Sequence, residues 1–403
     1  MNIFCFGKQY YYKSLDDEII ALKNRFPDSP KKCAVRLIIK NLFYLFSKSK
    51  KNKKKGSEIE ILVKFCGGYG DYINNINWLF AFRKEFNSEN IKYTVFGNQK
   101  QLLSLFDDSF NDVMVIDEKN NKIDFTDYDL VLSIVTIPAP LYQNLTRIGK
   151  LSVKLMEYCT ALNTYQHSNS MNFFNIPDYR LLTELFVRGK KFSSTPDFDG
   201  RLGLSDKYSY RIPFFLDEEA VINKFNLHGK KFITVNRGWD QCHKGSHVKA
   251  MSLDSCGDLI VRLKESFPDF MIIAIGSSRE QAMDTTGADM DLIEKTSLEE
   301  VKIILHKASV HIGCEGGLVH LRHAMGSGPC VVLFGPTNKY YYGYSENENL
   351  SASCNCHLKT GCERIIKNYE TLCLETGNSE SLCMKSITSE MVVNKVKRIL
   401  ESQ

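Results

Sequence analysis

No apolar run in this 403-residue sequence approaches the roughly 18–20 residues that a membrane-spanning helix needs, which argues against an integral membrane protein. The amino terminus, MNIFCFGKQYYYKSLDDE, lacks a long apolar stretch and a small-residue cleavage site, so no secretory signal is expected. Proline is scarce, 10 residues, and the 25 glycines follow no period; with 43% hydrophobic and 25% charged residues, collagen-like and disordered classes fall away. No GxGxxG fingerprint and no Walker lysine is present, so dinucleotide and P-loop readings are set aside. Cysteine is not lacking. Thirteen, an odd number, on a chain without a signal point to a reducing, cytoplasmic compartment, with thiols as core residues, metal ligands or redox groups. At about 150 residues per domain, two or three domains are expected.

The net charge of +5 hides an asymmetry. Residues 1–55 carry fourteen Lys or Arg against four Asp or Glu, and the remainder is net negative. Within this leader, Val35, Ile38, Ile39, Leu42, Phe43 and Phe46 fall at helical spacing, followed by a polybasic run ending at Lys55. Such a helix suits an anionic membrane surface, each basic residue contributing about 1 kcal/mol. The plainer alternative is a helix packed on the body and a solvated linker. Nothing in the body extends the basic patch, so no nucleic-acid partner is expected.

Beyond the leader, apolar strands alternate with helical segments. Residues 58–65, 92–97, 113–117 and 128–135 read as strands, with a helix over 73–86. A second series follows: strands at 231–238, 270–277, 309–314 and 329–337, and helices at 253–268, 297–308, 317–326 and 389–402. Ser297 and Glu300 fit a capping box. Residues 136–215 yield no detailed assignment. This pattern predicts an α/β protein of two Rossmann-like halves joined near 215–230, with ligands at the carboxyl ends of the strands and a central cleft between the halves.

Polar groups gather at those strand ends. The turn Gly67-Gly68-Tyr69-Gly70-Asp71 joins the first body strand to a helix, where glycines admit close backbone approach and amides attract anions. Asp71 reads either as a helix N-cap or as a general base. Glu315-Gly316-Gly317 follows another strand, with His320 one turn into the next helix, as a core histidine or a ligand contact. Gly335-Pro336-Thr337 and Asn236-Arg237 end neighbouring strands, and Lys244 and Lys249 lie in the following loop. The nearest DxD match, Asp289-Met290-Asp291, is expected in a loop, so no metal-bridged diphosphate is required.

In combination, the turn Gly67–Asp71, the run Glu315-Gly316-Gly317-Leu318-Val319-His320-Leu321-Arg322-His323-Ala324 and the following Phe334-Gly335-Pro336-Thr337 resemble the bacterial family 9 glycosyltransferases, the ADP-heptose:lipopolysaccharide heptosyltransferases and their relatives. Glu315 stands where that family usually has Asp, and Gly316 where it has Ser or Thr. Lys249-Ala250-Met251-Ser252 resembles its K-x-[WM]-P segment without the proline, and Glu294-Lys295-Thr296-Ser297-Leu298 its G-K-T-S-L segment. The resemblance implies a GT-B fold: an acceptor-binding domain over 56–220 and a nucleotide-sugar domain over 221–388, with a final helix at 389–403. It implies inverting, metal-independent transfer with Asp71 as base. Gly67, Gly68, Tyr69 and Gly70 would lie on the acceptor side; Asn236, Arg237, Lys244, Lys249, Glu315, Gly316, Gly317, His320, Gly335, Pro336 and Thr337 would lie on the donor side.

The expected donor is ADP-heptose, and the acceptor a lipopolysaccharide, another glycan, a lipid-linked sugar or a protein, at the inner face of the cytoplasmic membrane. A GT-B sugar epimerase and a silent nucleotide-sugar-binding scaffold are the rival readings. No cofactor is expected for catalysis. The segment 354–383 holds five cysteines; Cys356, Cys362, Cys373 and Cys383 are the candidate ligands of a structural Zn or Fe, the alternatives being disulfides or free thiols.

Overall fold

The computed structural model describes residues 56–119, 121–134, 138–168, 209–238, 248–277, 287–351, 373, 375–378 and 380–402. The leader, Lys244, Cys356 and Cys362 lie outside the described residues. The chain divides into two compact units. The first holds the described residues up to Cys66, Glu85–Gln99 and Asp112 to 168; the second holds Gly67–Lys84, Lys100–Asn111 and the described residues from 209 onward.

The first unit is built on a five-stranded sheet: β1 (Ile59–Phe65), β2 (Ile91–Gly97), β3 (Met114–Asp117), β4 (Leu130–Ile134) and β5 (Pro138–Gln143), in the order β3-β2-β1-β4-β5. β1 to β4 are parallel and β5 pairs antiparallel with β4. Four of the five strands match the sequence expectation. β5 falls where no assignment was made; its PAPLYQ sequence carries two prolines, which suit an edge strand. Leu62, Phe96, Val131, Leu141 and Tyr142 form a buried cluster here.

The second unit carries a six-stranded parallel sheet: β6 (Phe232–Asn236), β7 (Met271–Ala274), β8 (Met290–Asp291), β9 (Val310–Cys314), β10 (Cys330–Phe334) and β11 (Glu348–Ser351), ordered β11-β10-β9-β6-β7-β8. Asp289-Met290-Asp291 is therefore not wholly loop. Its last two residues pair with Ile273 and Ala274 as an edge strand too short to carry a pattern. The unit's helices include α1 (Tyr69–Glu85, nearly all of it), α2 (Leu253–Ser266), α3 (Leu298–Lys307), α4 (Gly317–Ala324) and α5 (Ser389–Glu401). Cys256, Leu259, Ile260 and Leu263 of α2 share one core with Val392, Val396 and Ile399 of α5 and with the strands β6, β7, β9 and β10. α3 opens on the expected capping box between Ser297 and Glu300.

α1 begins four residues earlier than its periodicity indicates. It is buried on most sides, including Asn74, Asn75 and Trp78, so no single apolar stripe marks it. Arg83, which interrupts the stripe, lies over the Phe110 ring at 5.0 Å and donates to the Ser109 carbonyl.

Candidate active site

The chain order of each sheet fixes where a ligand edge lies. In the second sheet the chain runs β6, β7, β8 to one side and then crosses to β9 on the other side of β6, so the strand order reverses between β6 and β9. Ligands of open α/β sheets bind outside the carboxyl ends of the strands at such a reversal. Asn236 ends β6, and Arg237 and Lys249 follow it; Glu315 follows β9. Across that point Lys249 Nζ pairs with Glu315 Oε2 at 3.0 Å, with both side chains largely buried. The next strand, β10, ends at Gly335-Pro336-Thr337, whose Thr337 hydroxyl is buried without a hydrogen-bond partner among the described residues.

Glu315 also meets the imidazole of His320, with Oε1 at 3.4 Å from Nε2. Burial alone would raise its pKa, but Lys249 and His320 outweigh that and hold the carboxyl well below the ordinary glutamate range. His320 Nδ1 lies 2.7 Å from the Tyr344 hydroxyl. The imidazole is thus held at both nitrogens.

The turn before α1 belongs to the same unit and reaches the same place. α1 starts at Tyr69, so Asp71 sits in its first turn rather than at its N-cap, and its Oδ2 accepts the Gly68 N–H at 2.7 Å. Gly67 has φ +96°, a left-handed turn that L side chains rarely adopt. Gly70 abuts α4: a Cβ there would lie 2.7 Å from His320 Cδ2 and 3.6 Å from the Gly317 nitrogen. The amino termini of α1 and α4 therefore meet glycine to glycine. Their positive ends, with Lys249 nearby, favour anions.

Asp71 shares the electrostatic surroundings of His320, Lys249 and Glu315. Its pKa is pushed up to about 6, first by desolvation, against the lowering effects of the Gly68 N–H, His320 and Lys249. Two carboxylates in one site are thereby driven in opposite directions, one towards a pKa of about 6 and one towards permanent ionisation. That separation is how a site assigns acid–base roles.

The remaining candidates also make hydrogen bonds that hold the scaffold around these groups. Asn236 accepts from the Gly238 N–H through its Oδ1 and donates to the Ile275 carbonyl through its Nδ2. Arg237 Nε donates to the Met251 carbonyl at 2.7 Å, tying down the stretch that carries Lys249. Tyr69 holds the Ser104 hydroxyl at 3.2 Å. Gly316 is the N-cap of α4. Ser381 donates to the Val248 carbonyl at 2.6 Å, and Met384 fills the space a Gly335 side chain would take. Cys373 and Cys383 are both unbridged thiols, and no group of three metal-ligating side chains occurs among the described residues. Tyr344 is the participant the sequence did not point to. It stands 24 residues from His320 within the run KYYYGY, where no spacing distinguishes one tyrosine from another.

Residues 276–370 match the family model of glycosyltransferase family 9 (heptosyltransferase). Among curated proteins none matches the chain in sequence. In structure it is similar to a family 9 glycosyltransferase from Veillonella parvula DSM 2008 at 14% identity, TM-score 0.52, covering 86% of this chain and 98% of that one. It is similar also to ADP-heptose lps heptosyltransferase II of E. coli at 13% identity, TM-score 0.52, covering 85% and 99%. A third likeness, at 14% identity and TM-score 0.56, is to the iron-containing dodecameric glycosyltransferase TibC from enterotoxigenic E. coli, covering 86% and 77%. TibC has also been solved with ADP-D-beta-D-heptose. At these identities the likeness carries the fold, two Rossmann-like α/β domains of the GT-B class.

Proposed function

We infer that this chain, a glycosyltransferase whose residues 276–370 carry the family 9 domain, transfers a heptose from ADP-heptose to a hydroxyl of a glycan, lipid-linked or protein acceptor, with inversion and without a divalent ion. The observation that carries the reading is the Asp71 carboxylate, held by the Gly68 N–H in a site that also contains Lys249, Glu315 and His320. Asp71 takes the acceptor proton as the acceptor oxygen forms its bond to the anomeric carbon. The bond from that carbon to the diphosphate breaks on the opposite face, and the electron pair leaves with the nucleoside diphosphate. Lys249 and the amides opening α4 stabilise the departing charge, which is why no metal is required. Glu315 stays ionised throughout; it orients Lys249 and His320 and is suited to accept from sugar hydroxyls. Asn236, Arg237 and Gly335-Pro336-Thr337 complete the donor edge, with Lys244 a further diphosphate contact.

TibC-bound ADP-D-beta-D-heptose and the family match support the donor choice. A thermal-shift series tests it: ADP-heptose should raise Tm and UDP- or GDP-sugars should not. Release of nucleoside diphosphate that depends on added acceptor separates transfer from epimerisation, and any release at all removes the scaffold reading. As part of the same reading, Cys356, Cys362, Cys373 and Cys383 would be the ligands of a structural Zn or Fe, the first two lying outside the described residues. Of the two described members, Cys373 is the better thiolate: burial raises its pKa, but hydrogen bonds from Leu382, Thr376 and Glu375 outweigh burial and leave it below an ordinary thiol, whereas burial pushes the Cys383 thiol up. About one metal per chain should accompany the purified protein and be lost in Cys373→Ser.

A further inference from the structure

The hydroxyl of Tyr344 is buried and lies 2.7 Å from His320 Nδ1, while His320 Nε2 faces the Glu315 carboxylate at 3.4 Å. We propose that Tyr344 is a positioning residue for the transfer reaction: its hydroxyl donates to His320 Nδ1, so the imidazole keeps its proton on Nε2 and presents N–H to Glu315 and the donor diphosphate. This rests on the transferase reading given above.

The tautomer follows from what each neighbour can do. Glu315, ionised by its pair with Lys249, is an acceptor only. A bare Nε2 would set lone pair against carboxylate, so Nε2 carries the proton. With that one proton on the ring, Nδ1 is an acceptor, and Tyr344 is the donor that meets it. Burial raises the phenol pKa, with Glu346, Glu315 and Cys330 adding to it, so the hydroxyl keeps its proton.

Tyr344 is itself fixed on several sides. Its carbonyl accepts from Asn349 Nδ2 at 2.8 Å, and its ring stacks on His323 with centroids 3.5 Å apart and planes 12° apart. His323 is held in turn by Glu346. The His320 and Tyr344 rings meet edge to face at 82°. A ring so clamped gives the hydroxyl one direction, towards Nδ1. When a diphosphate approaches, the same ring N–H can serve it without a change of tautomer.

Histidine ring ¹⁵N spectra of the full-length protein test this, with the His320 signals assigned by their loss in His320→Gln. The wild type should show Nε2 protonated and Nδ1 as a hydrogen-bonded acceptor. Tyr344→Phe should move Nδ1 towards an unbonded ring nitrogen and mix the tautomers. It should lower kcat about tenfold, the worth of one such bond, while donor KM stays within about twofold. Incorporation of 3-fluorotyrosine at position 344, a stronger donor of the same shape, should move Nδ1 the opposite way. A wild-type ring protonated on both nitrogens, or on Nδ1 with Nε2 bare, or His320 signals unchanged in Tyr344→Phe, overturns the proposal; so does an altered ring with kcat unchanged. Absence of any sugar transfer by the wild type instead defeats the transferase reading, and the ring spectra then decide the tautomer on their own.

Discussion

Asp71 sits where its charge is costly. Its folded pKa of about 6 lies above the ordinary 3.8, so between those values the folded chain binds the proton more tightly than the unfolded one. Stability therefore falls as pH rises through that window, and the cost, about 1–3 kcal/mol, is fully present above pH 6. Asp71→Asn can keep the Gly68 bond and removes the charge. It should melt higher than wild type at pH 7.5, with the difference gone near pH 3.5, while turnover drops about 10²–10⁴-fold. In the wild type, kcat/KM should fall with unit slope below about pH 6. Near-normal turnover in the variant would remove Asp71 from the chemistry. Lys249 and Glu315 show the reverse balance. Lys249→Met leaves a buried carboxylate without its cation and should cost about 3 kcal/mol by urea unfolding, along with nucleoside diphosphate affinity. Adding Glu315→Gln should restore much of the stability and none of the affinity. If Lys249→Met alone leaves both untouched, Lys244 becomes the better candidate.

At the scale of elements, the meeting of α1 and α4 is the feature on which the site depends. Gly70 and Gly317 let two helix amino termini approach, and the approach brings Asp71 into the surroundings of His320 and Glu315. Gly70→Ala places a methyl 2.7 Å from His320 Cδ2, and His320 is held at both nitrogens and cannot swing aside. The helices should separate by a few tenths of an ångström. Turnover should drop at least tenfold with little loss of helix content by circular dichroism; wild-type turnover would show that the approach is incidental. The strand-end groups were legible because strands and helices alternate with distinct periods, and the ends of strands bear the ligands of such sheets. β8 and β11 were not legible: two residues, and four residues reading ENLS, carry neither apolar alternation nor length.

For the molecule as a whole, the leader and the cysteine segment raise separate questions. The basic leader should bind anionic vesicles in a salt-sensitive way, and deletion of residues 1–55 should abolish that binding while leaving activity on a soluble acceptor. Equal co-sedimentation of the full and shortened chains would refute it. No described helix is long and apolar enough to cross a membrane. The downstream end of the cysteine segment braces the strand ends of the second sheet, through Ser381 on the Val248 carbonyl and Met384 beside Gly335. The sequence by itself determined the alternation of strands and helices, the glycine turns and the acidic residues at strand ends, because these are local patterns of period, backbone freedom and side-chain type. Only the tertiary structure decided which of them meet. Lys249 and Glu315 are 66 residues apart, and their pairing follows from β6 lying beside β9, a choice made by packing of both sheet faces. The displacement of the Asp71 and Glu315 pKa values in opposite directions likewise arises from burial and neighbours, which no spacing along the chain encodes.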